Sequence, residues 1–486
     1  MGTPQKTGIF HFDNTYKSLP PLIYKEIRPA QVPSPELILL NEDLKEDLQL
    51  SPANDKYWAS ILSGQSIPEG SFPLAQAYAG HQFGYFTMLG DGRAILLGEH
   101  VTYSGVRFDI QLKGSGKTPF SRNGDGKATL KSMLREYLFS EALYYLGIPT
   151  SRSLAVVKTG EKVYRESNHE GAVLTRIMTS HLRIGTFEFA RYFGKIDDLQ
   201  RLLDYTLHRH YPELKTANNP ALSLLDRVMQ KQIELIIQWM RVGFIHGVMN
   251  TDNTSIFGET FDYGPCAFMN TFHPDTVFSS IDHGGRYSFG NQPKIIKWNL
   301  AKLAEALLPL IDTSEERAIT LAIDKINEFD EIFTSRWHQM MANKLGIAHP
   351  TAQDNLLADE LLNAMRIEKA DYTNTFRALR QETIHENHPF FKGLLGKWYL
   401  KWKARIGNTK TDWENAAQLM QKSNPVFIPR NVHVENALDL AVQGDFSIWS
   451  ELFKALKAPY DDDQELKKFQ SFKTSYDLKY QTFCGT

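Results

Sequence analysis

The stretch VRFDIQLK, residues 106–113, indicates how the first half of this chain folds. Its even-numbered positions are apolar and its odd-numbered positions are polar, and this period of two predicts a strand with one buried face. Lys113 ends the strand on its polar face. Residues 95–101 are mainly apolar and predict the partner strand of a hairpin that turns near Ser104 and Gly105.

The segments that follow predict one helix and then further strands. We expect residues 128–145 to form the helix because Gly147 and Pro149 provide a stop signal directly after them. Beyond Phe187 the apolar positions recur mainly at helical spacing, apart from a polar loop at 245–265. The remaining predicted strands are residues 154–157, 162–165 and 172–178, with a turn at 159–161 between the first two.

This order of elements predicts an α+β fold of two lobes, as in the protein kinases. A small β-rich lobe with one key helix precedes a larger helical lobe. We expect the Pro-punctuated residues 1–76 to form an extension that wraps the core, with one helical patch near residues 37–50. The β-rich lobe is then predicted at 77–186, the helical lobe at 187–345 and a helical C-terminal extension at 346–486.

The composition is that of an ordinary globular protein. The 486 residues include 54 Lys and Arg against 56 Asp and Glu, and this net charge of −2 gives no indication of nucleic-acid or anionic-membrane binding. Two cysteines, Cys266 and Cys484, exclude a disulfide-rich scaffold and a Cys-rich zinc module. Residues 1–14 lack a signal-peptide pattern, and no apolar run approaches the ~20 residues that span a bilayer. We therefore expect a cytoplasmic monomer that binds neither nucleic acid nor membrane.

Two apparent motifs fail on their spacing. The GSGKT stretch at 114–118 has Gln111 where a P-loop needs its first Gly. The HENH stretch at 385–388 places its two His three residues apart, whereas a zinc-binding helix needs them four apart. The sequence therefore predicts neither a P-loop nor a structural zinc site.

Lys113 has a candidate partner in Glu136 on the predicted helix. Glu136 shares a stripe with Met133, Ser140 and Leu143, and a lone carboxylate in so apolar a setting is costly. A strand Lys followed by a helix Glu forms the ion pair that supports the nucleotide phosphates in protein kinases. Taken alone, Lys113 has a simpler alternative as a solvated side chain at the end of a strand.

The stretches HGVMNTDN at 246–253 and DYG at 262–264 continue the kinase pattern. In a kinase catalytic loop the base Asp stands two residues after the His, and a metal-binding Asn follows five residues later. Counted from His246, Asn253 takes the Asn position. Asp262 stands where the kinase Asp binds Mg²⁺, although an isolated DYG is also typical of an ordinary β-turn.

The base position of this loop is Val248, which cannot accept a proton. Asp252 is the nearest carboxylate that could replace it, with a helix cap or a turn as its alternative role. The residues therefore leave three functions open: a kinase-like transferase with altered chemistry, a conventional kinase, and a catalytically inert pseudokinase scaffold that binds ATP.

Longer stretches of the chain resemble the selenoprotein O family, over nearly its whole length. That family is kinase-like in fold and is described as a protein adenylyltransferase. It binds ATP in a flipped orientation and transfers AMP, rather than the γ-phosphate, to Ser, Thr or Tyr hydroxyls. The similar stretches are YAGHQFGYFTMLGDGRA (78–94), QLKGSGKTPFSRNGDGKATL (111–130), REYLFSEALYYLGIPTSR (135–152), HGVMNTDN (246–253), FDYGP (261–265), DHGGRYSFGNQP (282–293), NPVFIPRN (424–431) and GDFSIW (444–449).

The resemblance implies a role for each candidate residue. Lys113, paired with Glu136, would hold the nucleotide phosphates. Asn253 and Asp262 would bind Mg²⁺, or Mn²⁺ in its place, and Asp252 would accept the proton of a hydroxyl on a protein substrate. Contacts with ATP are further implied for Gly90, Gly92, Arg93, Asp125, Gly126, Arg176 and Arg183, beside Lys113 and Asp262.

Arg176 also has an argument of its own from the residues. It lies on the same face of its predicted strand as Leu174 and Met178, and a buried Arg needs an anion.

The chain departs from the family pattern at two places. Lys127 stands where the family usually has Arg. Eukaryotic members carry selenocysteine third from the C-terminus with a Cys three residues before it, whereas this chain has Cys484 in that place and Gln481 at the partner position. The resemblance thus implies no local redox pair, and a regulatory disulfide would have to use Cys266 or another chain.

Overall fold

In the computed structural model, the alternating stretch forms a strand in the middle of an antiparallel sheet, as predicted. The structure describes residues 9–382, 391–407, 409–471 and 480–483, and nine strands within these ranges belong to the sheet. In chain order they are β1 (Tyr24–Glu26), β2 (Glu36–Leu40), β3 (Leu74–Gln82), β4 (Tyr85–Gly90), β5 (Ala94–Val101), β6 (Arg107–Lys113), β7 (Ala128–Thr129), β8 (Arg152–Tyr164) and β9 (Asn168–Met178). They are arranged β1-β3-β5-β6-β9-β8-β2, with β4 also paired to β3 and β7 to β9.

The predicted hairpin joins β5 to β6 and ends with Ala94 opposite Lys113. Ile110 and Leu112 are fully buried, as the apolar face predicts. The polar face, however, is buried as well, which corrects the expectation of one buried face. Asp109 on this face accepts a hydrogen bond from Arg209 at 2.7 Å, because a helix of the second lobe covers the sheet there.

The described residues also form fifteen α-helices. In chain order they are α1 (Glu42–Asp47), α2 (Asp55–Leu62), α3 (Leu130–Tyr145), α4 (Ile184–Phe193), α5 (Ile196–His210), α6 (Pro220–Val242), α7 (Gln292–Ile311), α8 (Glu315–Asn327), α9 (Phe329–Lys344), α10 (Ala352–Glu368), α11 (Tyr372–Glu382), α12 (Gly393–Ile406), α13 (Lys410–Ser423), α14 (Asn431–Ala441) and α15 (Ser447–Lys457). The predicted α+β order, a sheet-rich lobe followed by a helical lobe, is confirmed.

The key helix α3 begins two residues later than predicted, because residues 128–129 form the short strand β7. Thr129 caps the helix through its side-chain oxygen, which accepts a hydrogen bond from the Ser132 backbone at 3.3 Å. The helix packs against β8 and β9, and its buried face carries Glu136 toward the sheet.

Two local predictions are wrong. The strands predicted at 154–157 and 162–165 are one strand, β8, which ends at Tyr164, because pairing with β9 continues on both sides of an irregularity between Lys158 and Lys162. Gly160, with a φ of 78°, lies within this irregularity, where a turn was expected. Residues 36–40 form β2 instead of the start of a helix, since they pair with β8, and the helical patch is reduced to α1.

The second lobe leads the chain to the loop with the kinase-like spacing. The long helix α6 ends at Gly243, whose left-handed φ of 77° stops the helix. Two short strands, β10 (Phe244–Ile245) and β11 (Ala267–Phe268), then pair and bring both ends of the loop together. The predicted lobe boundaries near residues 76, 186 and 345 stay predictions. Within the predicted N-terminal extension, residues 24–26 and 36–40 form β1 and β2 of the sheet. None of the described helices has the length and apolar character needed to cross a membrane.

Candidate active site

A cleft of about 570 Å³ lies between the sheet and the loop at 246–265. Every site residue predicted from the sequence lines it except Glu136, which stands behind Lys113. The predicted residues that line the cleft are Gly90, Gly92, Arg93, Lys113, Asp125, Gly126, Arg176, Arg183, Asp252, Asn253 and Asp262.

Lys113 is the centre of a buried ionic network. Its Nζ lies 2.6 Å from Oε2 of Glu136 and also contacts Oδ1 of Asp262. Arg176 reaches the same two carboxylates, with its Nη2 donating to Asp262 Oδ1 at 2.7 Å and its Nε donating to Glu136 Oε1 at 3.1 Å. Two cations and two anions therefore balance each other. The anions that the buried Arg176 requires are protein carboxylates.

Asp262 is the most exposed member of this network and lines the cleft. The side chains of Lys113, Glu136 and Arg176 are at most 7% exposed, whereas that of Asp262 is 28% exposed. Burial raises the pKa of the Asp262 carboxyl, but Lys113, Arg176 and Arg183 outweigh it and hold that pKa well below its usual range. Asp262 also adopts a left-handed φ of 64°, which is uncommon for a residue with a side chain. The structure thus presents an ionised carboxylate to the cleft.

Asp252 lies in a short 3-10 turn, Thr251–Asn253, on the other side of the cleft. Its Oδ1 is buried and has no hydrogen-bond partner among the described residues. The carboxylate packs directly on Gly80 of β3, where a Cβ atom would overlap it. Burial raises the pKa of Asp252 to about 7, although Arg183 opposes this increase. A carboxyl with that pKa exchanges protons near neutral pH.

The rest of the loop is held in place by hydrogen bonds from β3 and the following turn. The backbone N–H of His81 donates to Thr251 Oγ1 at 2.9 Å, and that of Phe83 donates to Asn250 Oδ1 at 3.3 Å. The Asn253 amide nitrogen donates to the Val248 carbonyl at 3.2 Å, so the amide oxygen is the atom of this side chain that is suited to a cation. His246 is buried, and its Nε2 lies 2.9 Å from the Phe261 carbonyl, which ties the start of the loop to Asp262.

Arg183 precedes α4 and connects both halves of the cleft. Its Nη1 donates to the backbone carbonyl of Asp252 at 3.0 Å, and its guanidinium stacks over the Tyr78 ring at 4.0 Å. Its Nη2 also lies 3.8 Å from Oδ1 of Asp91. Burial raises the pKa of Asp91 to about 6, with Arg183 as the main opposing charge.

Asp91 was not predicted from the sequence as a site residue, although Gly90 and Gly92 on either side of it were. The available signal was the DG pair at 91–92 inside LGDGRA, which is equally typical of an ordinary turn. The Asp91 carboxylate instead accepts a hydrogen bond from the backbone N–H of Gln76, near the start of β3, at 3.1 Å.

The glycine-containing segments line the mouth of the cleft. A Cβ atom at Gly90 would overlap the ring of Phe120, and one at Gly126 would overlap the Gly116 backbone, so both positions require Gly. Asp125 lines the cleft too, but Arg165 holds its carboxylate through two hydrogen bonds of 2.8 and 3.0 Å. Asp125 therefore faces the cleft as half of an ion pair.

Of the two cysteines, Cys266 lies among the described residues. Cys266 is fully buried, and burial raises the pKa of its thiol to about 12, so it is an unreactive side chain in the core. Cys484 and the HENH stretch at 385–388 lie outside the described residues. Among the described residues, no cluster of three or more His, Cys, Asp or Glu side chains is arranged to hold a metal ion.

Comparison with known proteins identifies close relatives along the full chain. The family model of the protein adenylyltransferase SelO matches residues 8–457. A protein nucleotidyltransferase YdiU from Pelagibacter ubique is 52% identical over 482 residues, which cover 98% of this chain and 99% of that protein. One from Bacillus mycoides is 51% identical over 490 residues and covers all of both chains.

Two solved structures are distantly similar. A rhoptry antigen kinase domain from Toxoplasma gondii is 12% identical, with a TM-score of 0.22, and the match covers 63% of this chain and 86% of that chain. ROP2 from the same organism, described as having a protein-kinase fold and no enzymatic activity, is 13% identical, with a TM-score of 0.21 and coverage of 68% and 86%. At such scores no conclusion rests on either structure.

Proposed function

The chain belongs to the SelO family of protein adenylyltransferases, and from this premise we propose that the cleft transfers AMP from ATP to hydroxyl side chains of protein substrates. One observation carries the proposal. The ionised carboxylate of Asp262 and the protonatable carboxylate of Asp252 line the same basic cleft. Two carboxylates with such different pKa values are suited to two different tasks, charge binding and proton transfer.

The cleft is suited to a triphosphate. Lys113, Arg176 and Arg183 bring positive charge to the cleft, and phosphoryl transfer depends mainly on positioning and charge neutralisation. Glu136 positions Lys113 from behind and does not contact the nucleotide. The small residues Gly90, Gly92 and Gly126 let the backbone approach the nucleotide closely. Arg93 and the Asp125–Arg165 pair complete the rim of the proposed ATP site.

Asp252 is proposed as the proton acceptor. Its carboxyl lines the cleft and has a pKa of about 7, so it is suited to accept the proton of a substrate hydroxyl there. The hydroxyl oxygen forms a bond to the α-phosphorus of ATP while its proton passes to Asp252. The bond between the α-phosphorus and the bridging oxygen breaks, and pyrophosphate leaves with that electron pair.

The donor atoms fit Mg²⁺, which we propose as the cation. Asp262 uses Oδ1 for Lys113 and Arg176, and Asn253 uses its amide nitrogen for Val248, so each side chain keeps an oxygen for a cation. Two protein oxygens are a usual set for Mg²⁺, whose other ligands are water and phosphate oxygens. When bound, the ion supplies charge neutralisation at the phosphates.

Transfer of a label distinguishes the possible functions. The protein is incubated with soluble bacterial protein, Mg²⁺ and ATP that is labelled at either the α- or the γ-phosphate. We expect protein-bound label from α-labelled ATP only. Protein-bound γ-label would instead identify a kinase, and the absence of both labels, with ATP still bound, would identify an inert pseudokinase.

A further inference from the structure

The buried side chain of Gln111 lies behind the cleft, between Arg176 and Asp91. Gln111 is part of β6, two residues before Lys113, and stands directly opposite Arg176 of β9 in the sheet. Its Oε1 accepts a hydrogen bond from Nη1 of Arg176 at 3.4 Å, and its Nε2 donates to Oδ2 of Asp91 at 3.3 Å. Gln111 is fully buried and does not itself line the cleft. An amide is suited to this position because it accepts on one side and donates on the other.

Asp91 continues the contact to the second arginine of the cleft. Its other oxygen, Oδ1, lies 3.8 Å from Nη2 of Arg183, within the range of an ion pair. The backbone of Asp91 is fixed on two sides, because its N–H donates to the Gln76 carbonyl at 2.9 Å and its carbonyl accepts from the Thr118 hydroxyl at 2.6 Å. Asp91 is 3% exposed, and a buried carboxylate requires a positive partner. We call the resulting chain of four side chains the arginine bridge: Arg176, Gln111, Asp91 and Arg183.

The contacts of the two arginines leave each guanidinium little freedom. Arg176 makes four hydrogen bonds with its five N–H groups, one to Gln111 and three to the two carboxylates of the ionic network. Arg183 donates to two backbone carbonyls, those of His181 and Asp252, at 3.2 and 3.0 Å. The remaining N–H groups of both arginines therefore have fixed directions in the cleft.

The charge of Asp91 favours a role through Arg183 rather than on the nucleotide. Asp91 lines the cleft, but its negative charge would repel a phosphate that approached it directly. A guanidinium recognises phosphate oxygens as a planar fork, so the spacing and the orientation of two such forks decide how well they bind one triphosphate. The arginine bridge sets both quantities from the side that faces away from the nucleotide.

We propose that Gln111 and Asp91 are positioning residues, which hold the two arginines of the bridge at the spacing at which both contact the phosphates of ATP. This inference rests on the proposed function only in taking ATP as the ligand of the cleft. Gln111 acts through Arg176, and Asp91 acts through Arg183.

Binding of ATP and of adenosine to the full chain tests the proposal. Both Kd values are measured by isothermal titration calorimetry in the presence of Mg²⁺. Adenosine lacks the phosphates, so a change in the spacing of the arginines affects ATP and leaves adenosine alone. We expect Gln111→Met, which keeps the size and the charge of the side chain but removes the bridge, to raise the Kd for ATP about tenfold and to leave that for adenosine unchanged.

Asp91→Asn separates positioning from simple charge effects. The substitution removes a negative charge from the cleft, so its electric field alone would strengthen ATP binding. Loss of the ion pair with Arg183 should instead weaken it. We expect the Kd for ATP to rise about fivefold, again without a change for adenosine.

Gln470→Met is the matched control. Gln470 is 5% exposed, and its Nε2 donates to Oδ1 of Asp462 at 3.0 Å, outside the cleft. This variant therefore loses the same kind of bond between a buried amide and an Asp carboxylate. We expect its Kd values for ATP and adenosine to equal those of the unmodified protein.

Three results would overturn the proposal: an unchanged Kd for ATP in Gln111→Met, unchanged or tighter binding of ATP by Asp91→Asn, or an equal rise of the Kd for ATP and for adenosine. Melting temperatures check the folding of each variant, and Asp91→Asn decides alone if Gln111→Met does not fold. Transfer of α-label is measured on the same samples. Its absence from the unmodified protein, with the Kd values as expected, refutes the proposed function and leaves the arginine bridge standing.

Discussion

Gly80 packs so closely on Asp252 that a methyl group at position 80 would overlap the carboxylate oxygen Oδ1. The strand that covers the cleft thereby fixes the position of the proposed proton acceptor. A carboxylate that must accept a proton from a substrate hydroxyl needs this precision, since small displacements of catalytic groups cost large factors in rate.

Substitution of Gly80 tests this relationship. We expect Gly80→Ala to lower kcat for AMP transfer at least tenfold, because the added methyl group displaces Asp252, while the Kd for ATP stays the same. Gly284→Ala is the matched control, since a Cβ atom there meets nothing within 4 Å. Equal kcat values for the two variants would contradict the proposed role of the contact.

Loss of the Asp262 carboxylate should lower kcat for AMP transfer more than loss of the Asp252 carboxylate. We expect Asp252→Asn to lower kcat about a hundredfold, as is usual for a lost general base. Asp262→Asn should cost more, about a thousandfold, because it removes both a cation ligand and the anion that Lys113 and Arg176 share. Steady-state kinetics of AMP transfer measure both values, and a larger loss for Asp252→Asn would reverse the proposed roles.

ATP should stabilise the protein more strongly when the buried ionic network lacks the Glu136 carboxylate. Glu136→Gln leaves Lys113 and Arg176 with one carboxylate instead of two, and breaking such a buried pair costs about 3–5 kcal/mol. We expect a lower melting temperature, which ATP raises more in this variant than in the unmodified protein because the phosphates replace the lost anion. Lys297→Gln, which breaks an outer ion pair with Asp330 away from the cleft, is the control. An equal ATP-induced shift in all three proteins would argue against phosphate binding beside Lys113.

The buried carboxyl of Glu259, which lies outside the cleft, should make the stability of the protein depend on pH. Burial raises the pKa of its carboxyl to about 7, although Thr179 opposes the increase by a hydrogen bond. Because the folded state holds this proton longer than the unfolded state, stability falls as the pH rises from the ordinary Glu pKa to about 7. We expect Glu259→Gln to melt higher than the unmodified protein at pH 8 and equally at pH 4.5. The same difference at both pH values would show that the carboxyl does not titrate on unfolding.

The thiol of Cys266 should be inert in the folded protein. Its burial and raised pKa predict no alkylation by iodoacetamide at pH 8 without denaturant, and complete alkylation in guanidinium chloride. Peptide mass spectrometry locates the label on Cys266. Alkylation of the native protein at this position would reopen a redox role for it.

The sequence predicted elements with a strong local pattern. Strand β6 and helix α3 carry unambiguous periodicity and stop signals, and Lys113 with Glu136 followed from them. The β8 irregularity and strand β2 were missed because pairing with a distant strand, rather than local propensity, decides their conformation. The polar face of β6 was expected to be exposed, because its alternating pattern does not show that a helix of the second lobe covers it.

The candidate site was predictable where spacing carries chemistry. In the loop at 246–253, Asn253 was predicted from its distance to His246, and Asp252 as the nearest carboxylate that could replace the base missing at Val248. The shared use of Asp262 by Lys113 and Arg176 could not be predicted, since Arg176 lies 86 residues before it in the chain. Asp91 and its contact with Gln111 likewise depend on packing that only the folded chain defines.

The products of one turnover test the central claim most directly. The protein is incubated with ATP, Mg²⁺ and acceptor protein, the modified peptide is identified by mass spectrometry, and released pyrophosphate is quantified in the same sample. We predict one AMP on a Ser, Thr or Tyr hydroxyl for each pyrophosphate released, and about a thousandfold slower formation of both products with Asp262→Asn. A phosphate group on the acceptor together with released ADP would contradict adenylyl transfer by this cleft.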